Sequence, residues 1–471
     1  MTFKQYNQNQ SFLLPPSFAD FLGESHDAVI LNEFLNNLDS SKLVKSYKNE
    51  YGGTSAYHPI MLLKVLIYAY LTGVFSSRKI AGKLKQDLSF MYLSGNNTPD
   101  FRTLSRFRKE KVEYFEEIFV QVVGKAQELG FVSFGTCSLD GTKLKADASK
   151  DNNYTVERLK EKIQGYIKQA KEIDEMEDVL YGDNEDDVDP ELKTKEGRKR
   201  REKEIKKKHK KAEFRLNKIK SIKQKKKSDK INTTDPDSKI MKMKQGNFAN
   251  GYNVQAITEN GIILTSTISN GSADQNTLIP TLKKLQKEQC ILPEKVLADK
   301  GYSTVDNYLF CEKENIDAYI PIHLNQVDLS DYSYNKKSNI YQDKQRRKYR
   351  FKQFMKKIEK RVKPDKGSSF QEKQKYYKTA IYEYINRKTK KKKYLSVSLK
   401  WQEHVKKQEE KLSTLKGRQI YRQRAYDVEG VFGNIKRNLK FTNFNLRGFR
   451  GVNAEWILIS LAHNFKKIAY N

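Results

Sequence analysis

Cysteine is scarce in this chain, which contains 3 cysteines among 471 residues. Cys137, Cys290 and Cys311 lie far apart and form no CxxC or CxxH spacing. This spacing excludes a disulfide framework and a cysteine-based zinc site, so we expect no zinc. So few cysteines are also typical of a protein in a reducing cytoplasm.

Long hydrophobic runs are missing as well. The most apolar stretch, residues 61–75, contains Lys64 and is shorter than the about 20 apolar residues of a membrane-spanning helix. The start of the chain, MTFKQYNQNQ, has no apolar segment typical of a signal peptide. We therefore expect no membrane association and interpret residues 61–75 as a buried helix.

Acidic residues are the minority among the charged residues. The chain has 58 Asp and Glu against 90 Lys and Arg, for a net charge of +32 at pH 7. Because this excess is spread over most segments, a polyanion is the expected partner, with nucleic acid the leading candidate. A structural RNA-binding protein would carry a similar charge, so charge alone does not identify an enzyme. The length suffices for two or three domains.

Helical patterns dominate the N-terminal part. We predict helices over residues 59–72, 77–94 and 101–129, because Pro59 suits a first helical turn and Ser76 suits an N-cap. Two helices joined by a short turn, the second with exposed cations, resemble a helix-turn-helix DNA reader. A plain helical bundle with a solvated basic face fits the same pattern. The predicted basic face consists of Arg102, Arg106 and Lys109.

Strand patterns follow from about residue 131. The alternation in FVSFGTCSLDGTKLKADAS predicts two antiparallel strands that turn at Asp140-Gly141, so that Asp140 ends the first strand. An Asp before Gly is also an ordinary turn residue. Asn260-Gly261 between two β-branched runs predicts a hairpin, and EKVLADKGY predicts a short strand with Asp299 at its carboxyl end. Strands and helices in this order predict an α/β three-layer fold.

Two charged segments interrupt this pattern. We assign residues 1–125 to an N-terminal helical DNA-binding domain and residues 126–471 to a second domain with insertions at about 151–235 and 325–416. The first insertion has an acidic stretch followed by a basic one, and the second is rich in Lys and Tyr. We expect both insertions to be helical or irregular. The second either follows a phosphate backbone, stacks on bases or is a solvated arm.

The segment over residues 418–447 predicts a helix with two different faces. An apolar stripe faces a core, and beside it Glu429 lies in a row of cations that includes Arg422 and Lys436. Gly430 and Gly433 lie toward the Glu429 side and allow close approach to the helix. A carboxylate among cations suits metal-dependent phosphate chemistry, whereas the alternative is an ion-paired surface helix.

Three acidic residues are stronger candidates for metal ligands together than each is alone. Asp140 and Asp299 follow strands and Glu429 lies on a later helix, so one compact sheet would bring them together. Several carboxylates are what two Mg²⁺ ions about 4 Å apart require for phosphoryl transfer. Asp147 and Asp274 are secondary candidates that support the site, cap an element or are solvated.

The chain resembles bacterial insertion-sequence transposases of the DDE class over roughly residues 55–465. The motifs that carry this resemblance are DGTKLKADAS, GYNVQA, VLADKGY and VEGVFGNIKRNLKF, in that order. It implies an RNase H-like mixed sheet flanked by helices, preceded by a helical DNA-binding domain. It also implies that Asp140, Asp299 and Glu429 bind Mg²⁺, or Mn²⁺ as a substitute. The reaction implied is nicking at the element ends followed by joining to target DNA.

The resemblance also assigns residues that contact DNA. The family signature of Tyr, Arg, Glu and Lys is matched by Tyr421, Arg424, Glu429 and Lys436, except that four residues rather than three separate Arg424 from Glu429. Arg422 is therefore the competing phosphate clamp. Tyr302 is expected beside the flanking DNA. The implied partner is double-stranded DNA, bound by a homodimer or higher oligomer in the bacterial nucleoid.

Other functions remain open at this stage. A related nuclease would cut DNA without joining it. A DNA-binding protein derived from a transposase would bind specific sequences without catalysis. A basic RNA-binding structural protein explains the charge but not three acids at the ends of strands and on a helix.

Overall fold

The structure is a computed structural model that describes residues 17–47, 56–180, 194–221, 230–322, 329–355, 379–386 and 389–470. Its N-terminal part is helical, as the sequence predicts. The helices are α1 (Phe18–Leu22), α2 (Asp27–Asn36), α3 (Ser41–Lys45), α4 (Pro59–Leu71), α5 (Ser77–Lys83), α6 (Leu88–Ser94), α7 (Phe101–Glu110) and α8 (Val112–Glu128).

Helix α4 is the predicted buried helix, with Pro59 in its first turn. The other two predicted helices are each broken in two, which corrects the prediction of single helices. Asp87 accepts a hydrogen bond from the backbone N–H of Ser89 and thereby caps a new helix, α6. The second break lies at Lys111, between α7 and α8. Among the described residues, no helix is long and apolar enough to cross a membrane.

A mixed sheet forms the centre of the second part of the chain. Strand β5 pairs with β4 and β6 along one edge and antiparallel with β1 along the other, and β7 and β8 continue the sheet parallel to β1. The short strands β2 and β3 pair separately. The strands are β1 (Thr136–Lys145), β2 (Asn153–Tyr154), β3 (Ile231–Asn232), β4 (Lys239–Lys242), β5 (Phe248–Glu259), β6 (Ile262–Ser269), β7 (Lys295–Ala298) and β8 (Asp317–Tyr319).

Helices flank this sheet, so the predicted fold class is confirmed. The hairpin at Asn260-Gly261 is also confirmed, because both residues have positive φ between β5 and β6. The helices are α9 (Val156–Leu180), α10 (Lys195–Ser221), α11 (Leu278–Gln289), α12 (Val305–Lys313), α13 (Leu399–Ser413), α14 (Leu415–Arg424), α15 (Gly430–Gly433) and α16 (Gly448–Ala469).

The predicted turn at Asp140-Gly141 is wrong, because β1 continues through both residues to Lys145. Gly141 pairs with Gln255 of β5, and a Cβ at Gly141 would lie 2.3 Å from Gln255 Nε2. A larger residue here would force the Gln255 side chain to shift, so this glycine is explained by the close approach of a neighbouring side chain and not by a turn.

The second insertion contains an antiparallel sheet, which corrects the prediction of a helical or irregular segment. Among the described residues, three of the six buried hydrophobic positions of this sheet are tyrosines, namely Tyr341, Tyr349 and Tyr382. The strands, in spatial order, are β13 (Lys392–Ser398), β12 (Thr379–Ile385), β11 (Lys348–Met355), β10 (Ile340–Asp343) and β9 (Tyr332–Asn335). The first insertion is helical as predicted, but most of its acidic stretch lies outside the described residues.

The N-terminal helices and the central sheet share one hydrophobic core. Helix α16 packs against α4 and α8 on one side and β6 on the other. Inside this contact Arg108 and Glu455 form a buried ion pair with 3.5 Å between Nη1 and Oε1. The domain boundary near residue 125 remains a prediction, and the core extends across it.

Candidate active site

Strand register brings Asp140 and Asp299 together. Leu139 of β1 pairs with Ala298 of β7 in parallel, so the next residue on each strand is one of these two acids. Adjacent strands lie about 4.8 Å apart, which makes the two carboxylates neighbours. Asp299 is also held by the backbone N–H of Gly301, which donates to its Oδ1 at 2.7 Å.

Gly301 has a packing reason to be glycine. A Cβ at this position would lie 2.8 Å from Asp299 Oδ1. The DKG sequence therefore fixes the Asp299 side chain by a tight local turn, in which a larger residue would push the carboxylate away.

A long helical segment brings Glu429 to the same place. It runs from α14 through a π-helical turn, Ala425–Glu429, into α15 and a second π-helical turn, Asn434–Asn438. The apolar stripe of this segment is buried as predicted, at Val428, Val431, Phe432, Ile435 and Leu439. The Glu429 side chain is 58% exposed and so faces solvent beside the two strand acids.

Arg424 contacts two of the three carboxylates. Its Nη1 lies 3.2 Å from Glu429 Oε1 and 3.6 Å from Asp140 Oδ2. The Arg424 side chain is only 12% exposed, so solvent screens these contacts poorly. Arg422, by contrast, is exposed and makes no ion pair with a described residue.

The π-helical turn explains why Arg424 rather than Arg422 reaches the acids. Residues five apart are separated by about 140° around an α-helix, which would turn Arg424 away from Glu429. In a π-helix the hydrogen bonds run from residue i to i+5, so these two residues lie on one face. The extra residue in the Arg-to-Glu spacing is therefore accommodated by a local change of helix type.

Burial controls the ionisation of Asp140. Burial raises the pKa of its carboxyl to about 6, and the nearby charges of Asp299 and Glu429 act in the same direction. The Arg424 guanidinium and the backbone N–H of Gly141 oppose this shift in the pKa. A nearby cation would therefore stabilise the charged form of Asp140 and lower its pKa.

Oxygen ligands of this kind suit a hard divalent cation such as Mg²⁺. Within the part of the chain that the structure describes, no three acidic, His or Cys side chains are arranged to hold a metal ion as they stand. The guanidinium of Arg424 lies between Asp140 and Glu429, in the position of a cation. The oxygen donors of Asp140, Asp299 and Glu429 are therefore of the type that suits a divalent cation, and the Arg424 guanidinium places a positive charge beside two of them.

Tyr421 and Lys436 lie at the edges of this group. Burial raises the pKa of the Tyr421 hydroxyl, with smaller effects from Arg424 and the three acids. Lys436 donates a hydrogen bond to the Thr142 hydroxyl on β1. Burial, with a contribution from Lys244, lowers the pKa of Lys436, whereas Asp140 raises it.

Tyr302 does not contact solvent. Its side chain is fully buried and its hydroxyl donates to Gln255 Oε1. The expected position of Tyr302 beside the flanking DNA stays a prediction. The same network explains Asp274, which accepts hydrogen bonds at 2.7 Å from both Asn253 Nδ2 and Gln255 Nε2. Strand register puts Asn253 and Gln255 on the sheet face opposite Asp140.

Sequence reasoning missed Asn253 and Gln255. Both are buried polar residues on β5, where an inward position normally carries an apolar side chain. The alternation of N and Q in GYNVQA was the available signal. These two amides and Asp274 support the back of the strands that carry Asp140 and Asp299.

The other predicted DNA contacts lie apart from the acids. Arg102, Arg106 and Lys109 are exposed on α7, as predicted. Near them, a cleft of about 410 Å³ is lined by residues that include Arg78, Lys109 and Arg447. Asp147 forms an ion pair with Arg447 at 2.8 Å, and both side chains are about half exposed.

Gly430 and Gly433 face open space. A Cβ at either position would meet no atom within 4 Å, so internal packing does not require these glycines. Gly430 lines a cleft of about 600 Å³ together with Tyr426 and Lys467, on the side of the helix next to Asp427. Asp427 accepts a hydrogen bond from Ser138 at 3.0 Å, which fixes the helix against β1.

Two family models match this chain. Residues 16–110 match the family described as Transposase domain (DUF772). Residues 220–465, more than half of the chain, match the family described as Transposase DDE domain. The second match contains Asp299 and Glu429, whereas Asp140 lies 80 residues before its start. No curated protein matches the chain.

Proposed function

The chain belongs to the transposases with a DDE domain, and from this premise we propose that it cuts DNA at the ends of an insertion sequence and joins them to target DNA by metal-dependent phosphoryl transfer. The observation that carries this proposal is that Asp140 lies near Asp299 and Glu429, with the Arg424 guanidinium in contact with Asp140 and Glu429. Transposition of DNA follows from family membership. The three acids, the metal and the two chemical steps are the proposed part.

Asp140, Asp299 and Glu429 would hold Mg²⁺, with Mn²⁺ as a substitute. A divalent ion supplies Lewis acidity, which activates water or a 3′-hydroxyl and stabilises the leaving oxygen. Asp140 and Asp299 lie on adjacent strands of a hydrogen-bonded sheet, so their positions are fixed before a ligand binds. Glu429 is more exposed and adds a ligand from the helix side.

The cations at this site would hold the phosphates. Arg424 is mostly buried and presents a planar guanidinium, which suits bidentate contact with a phosphate. We propose that it passes from the carboxylates to a DNA phosphate when metal and DNA bind. Lys436, positioned by Thr142, and Tyr421 flank the same strand of DNA.

The N-terminal helices would bind the element ends. Asp100 caps α7 by accepting a hydrogen bond from the backbone N–H of Thr103, and this starts a helix with exposed Arg102, Arg106 and Lys109. Such a helix suits the major groove of duplex DNA. We expect a homodimer or higher oligomer on DNA, because two element ends must be processed together.

A strand-transfer assay tests this function. The substrate is a duplex that carries the inverted repeat found beside the coding region, mixed with a target plasmid and Mg²⁺. We expect the parent protein to cut and join. Asp140→Asn and Glu429→Gln should bind the duplex normally but cut it at least about 100-fold more slowly, because a metal ligand contributes several kcal/mol.

Asp147→Asn is the matched control, because Asp147 is exposed and paired with Arg447 away from the acids. It should cut at nearly the parent rate. Cutting without joining would identify a nuclease instead. Binding without any cutting by the parent would identify a non-catalytic DNA-binding protein.

A further inference from the structure

Helices α9 and α10 form an arm that lies between the two matched segments of the chain, except that the last two residues of α10 fall within the second. The two helices pack along each other, and their less exposed positions recur at alternating intervals of three and four residues. This spacing is that of a coiled-coil seam. In α10 the seam positions are Arg198, Glu202, Ile205, His209, Ala212, Leu216 and Ile219.

The opposite side of α10 is strongly basic. Between Lys195 and Ser221 there are fourteen Lys or Arg and four Glu. Because the seam faces α9, its position shows which of these cations lie on the far side of α10. The cations on the far side are all exposed. This outer stripe consists of Arg200, Lys203, Lys207, Lys210 and Lys211.

The glutamates of α10 neutralise cations beside the outer stripe. Glu202 pairs with Lys206, and Glu204 lies 3.7 Å from Arg201 and 3.9 Å from Lys208. Among the residues that the structure describes, no ion pair involves a member of the outer stripe. A helix selected only for solubility would be more stable if these cations also formed ion pairs with acidic residues three or four positions away.

The base of the arm is fixed to the body of the protein. Arg215 donates to the Tyr154 hydroxyl at 2.7 Å and to Asn152 Oδ1 at 3.0 Å, and its guanidinium lies over the Tyr154 ring. Leu159, Leu216 and Ile219 form a small core beneath these contacts. The outer stripe is therefore held at a set orientation, which lowers the entropy cost of binding.

We propose that the outer stripe of α10 binds the phosphate backbone of duplex DNA without reading its sequence. The cations at positions 200, 203, 207 and 210 follow one another at about 4.5 to 6 Å along the helix axis, of the same order as the about 3.4 Å of duplex axis per phosphate of one strand. The stripe from Arg200 to Lys211 is about 17 Å long, so it can span about five phosphates of one strand. This deepens the proposed function and depends on it in one respect, that DNA is the substrate.

Salt-dependent binding to a duplex of random sequence, in EDTA so that no cutting occurs, tests this role. We expect Lys203→Gln/Lys207→Gln/Lys210→Gln to weaken binding and to reduce the slope of log K against log salt by about 2 to 3, because each phosphate contact contributes about 0.9. Glutamine keeps the helix propensity of lysine, and circular dichroism should show unchanged helix content.

Lys42→Gln/Lys125→Gln/Lys406→Gln is the matched control, because it removes the same charge from lysines that pair with carboxylates elsewhere. It should leave the slope nearly unchanged. Equal slopes for the two variants would overturn the proposal. A change in the oligomeric mass of the stripe variant in solution, with no change in its slope of log K against log salt, would also overturn the proposal. That result would show that the stripe contacts a second copy of the chain. Failure to cut DNA would contradict the proposed function but would not affect the conclusion about DNA binding by the stripe.

Discussion

At the scale of single residues, the charged carboxylate of Asp140 lowers the stability of the folded protein. Its carboxyl is mostly buried, and two further acids lie beside it. Because its pKa in the folded protein is about 6, above the ordinary value of 3.8, the folded state binds the proton more tightly than the unfolded chain. The resulting loss of stability is absent below the ordinary pKa and complete above pH 6.

Asp140→Asn should therefore stabilise the metal-free protein near pH 8 and have little effect near pH 4, with a gain of at most about 3 kcal/mol. Urea unfolding at both pH values measures this. Added Mg²⁺ should raise the unfolding temperature of the parent but not of the variant, because the ligand stabilises only the state that binds it. A variant that is destabilised equally at both pH values would contradict the expectation. Asp147→Asn is the control.

Arg424 and Arg422 offer a second comparison at this scale. Arg424 contacts Asp140 and Glu429, whereas Arg422 is exposed. Arg424→Gln should slow DNA cutting at least about 100-fold, because a buried cation that holds a phosphate contributes several kcal/mol. Arg422→Gln should change the rate only a few-fold. The rate of cutting at saturating DNA measures both, and a larger effect at Arg422 would reverse the assignment.

At the scale of elements, the helix that carries Glu429 tolerates an extra residue by changing its geometry. The π-helical turn, Ala425–Glu429, contains the residue by which the chain departs from the spacing of the family signature. Ala425 is exposed, so removing it deletes no packed side chain. When Ala425 is removed, the helix on either side keeps its orientation only if the π-helical turn becomes one residue shorter.

Deletion of Ala425 should convert the π-helical turn into ordinary α-helix and keep Arg424 next to Glu429. We expect a change in the free energy of unfolding of about 1 kcal/mol or less, because packing is retained. Deletion of exposed Gln419 within α14 is the control. It should destabilise more, since it shifts Gly417, where a Cβ would lie 2.0 Å from the carbonyl oxygen of Lys411. Equal losses for both deletions would show that the π-helical turn has no such tolerance.

At the scale of the whole molecule, the N-terminal helices and the sheet act as one folded unit. Arg108 on α7 and Glu455 on α16 form an ion pair that is almost fully buried. Glu455 also accepts hydrogen bonds from Tyr70 and from the backbone N–H groups of Asn445 and Leu446. The N-terminal helices are thereby fixed relative to the helix that closes the core.

Glu455→Ala should cost about 3 to 5 kcal/mol, because it leaves the Arg108 charge buried without its partner. Urea unfolding should follow a single transition by helix signal and by tryptophan fluorescence. Glu113→Ala is the control: Glu113 pairs with Arg450 at 3.0 Å, both are about 60% exposed, and its loss should cost about 1 kcal/mol or less. Separate transitions for the two signals would instead support an independent N-terminal domain.

Local sequence determined the features whose cause is local. Pro59 begins a helix because its ring suits a first turn. Asn260-Gly261 forms a hairpin because both residues adopt positive φ readily. The basic excess and the order of strands and helices predicted the partner and the fold class, since charge and periodicity are read along the chain. Asp299 was placed at a strand end for the same reason.

Only the tertiary structure decided what depends on contacts between distant residues. Gly141 lies within a strand because β1 pairs with β5 as far as Lys145, and the buried Tyr302 hydroxyl finds its hydrogen-bond acceptor in Gln255 of the same β5. The tyrosine-rich sheet of the second insertion escaped prediction because its inward residues are polar enough to resemble solvated ones. Arg424 reaches the acids through a π-helical turn that is kept by packing against β1 and β5. Spacing along the chain could not reveal this, because helix type depends on what the helix packs against.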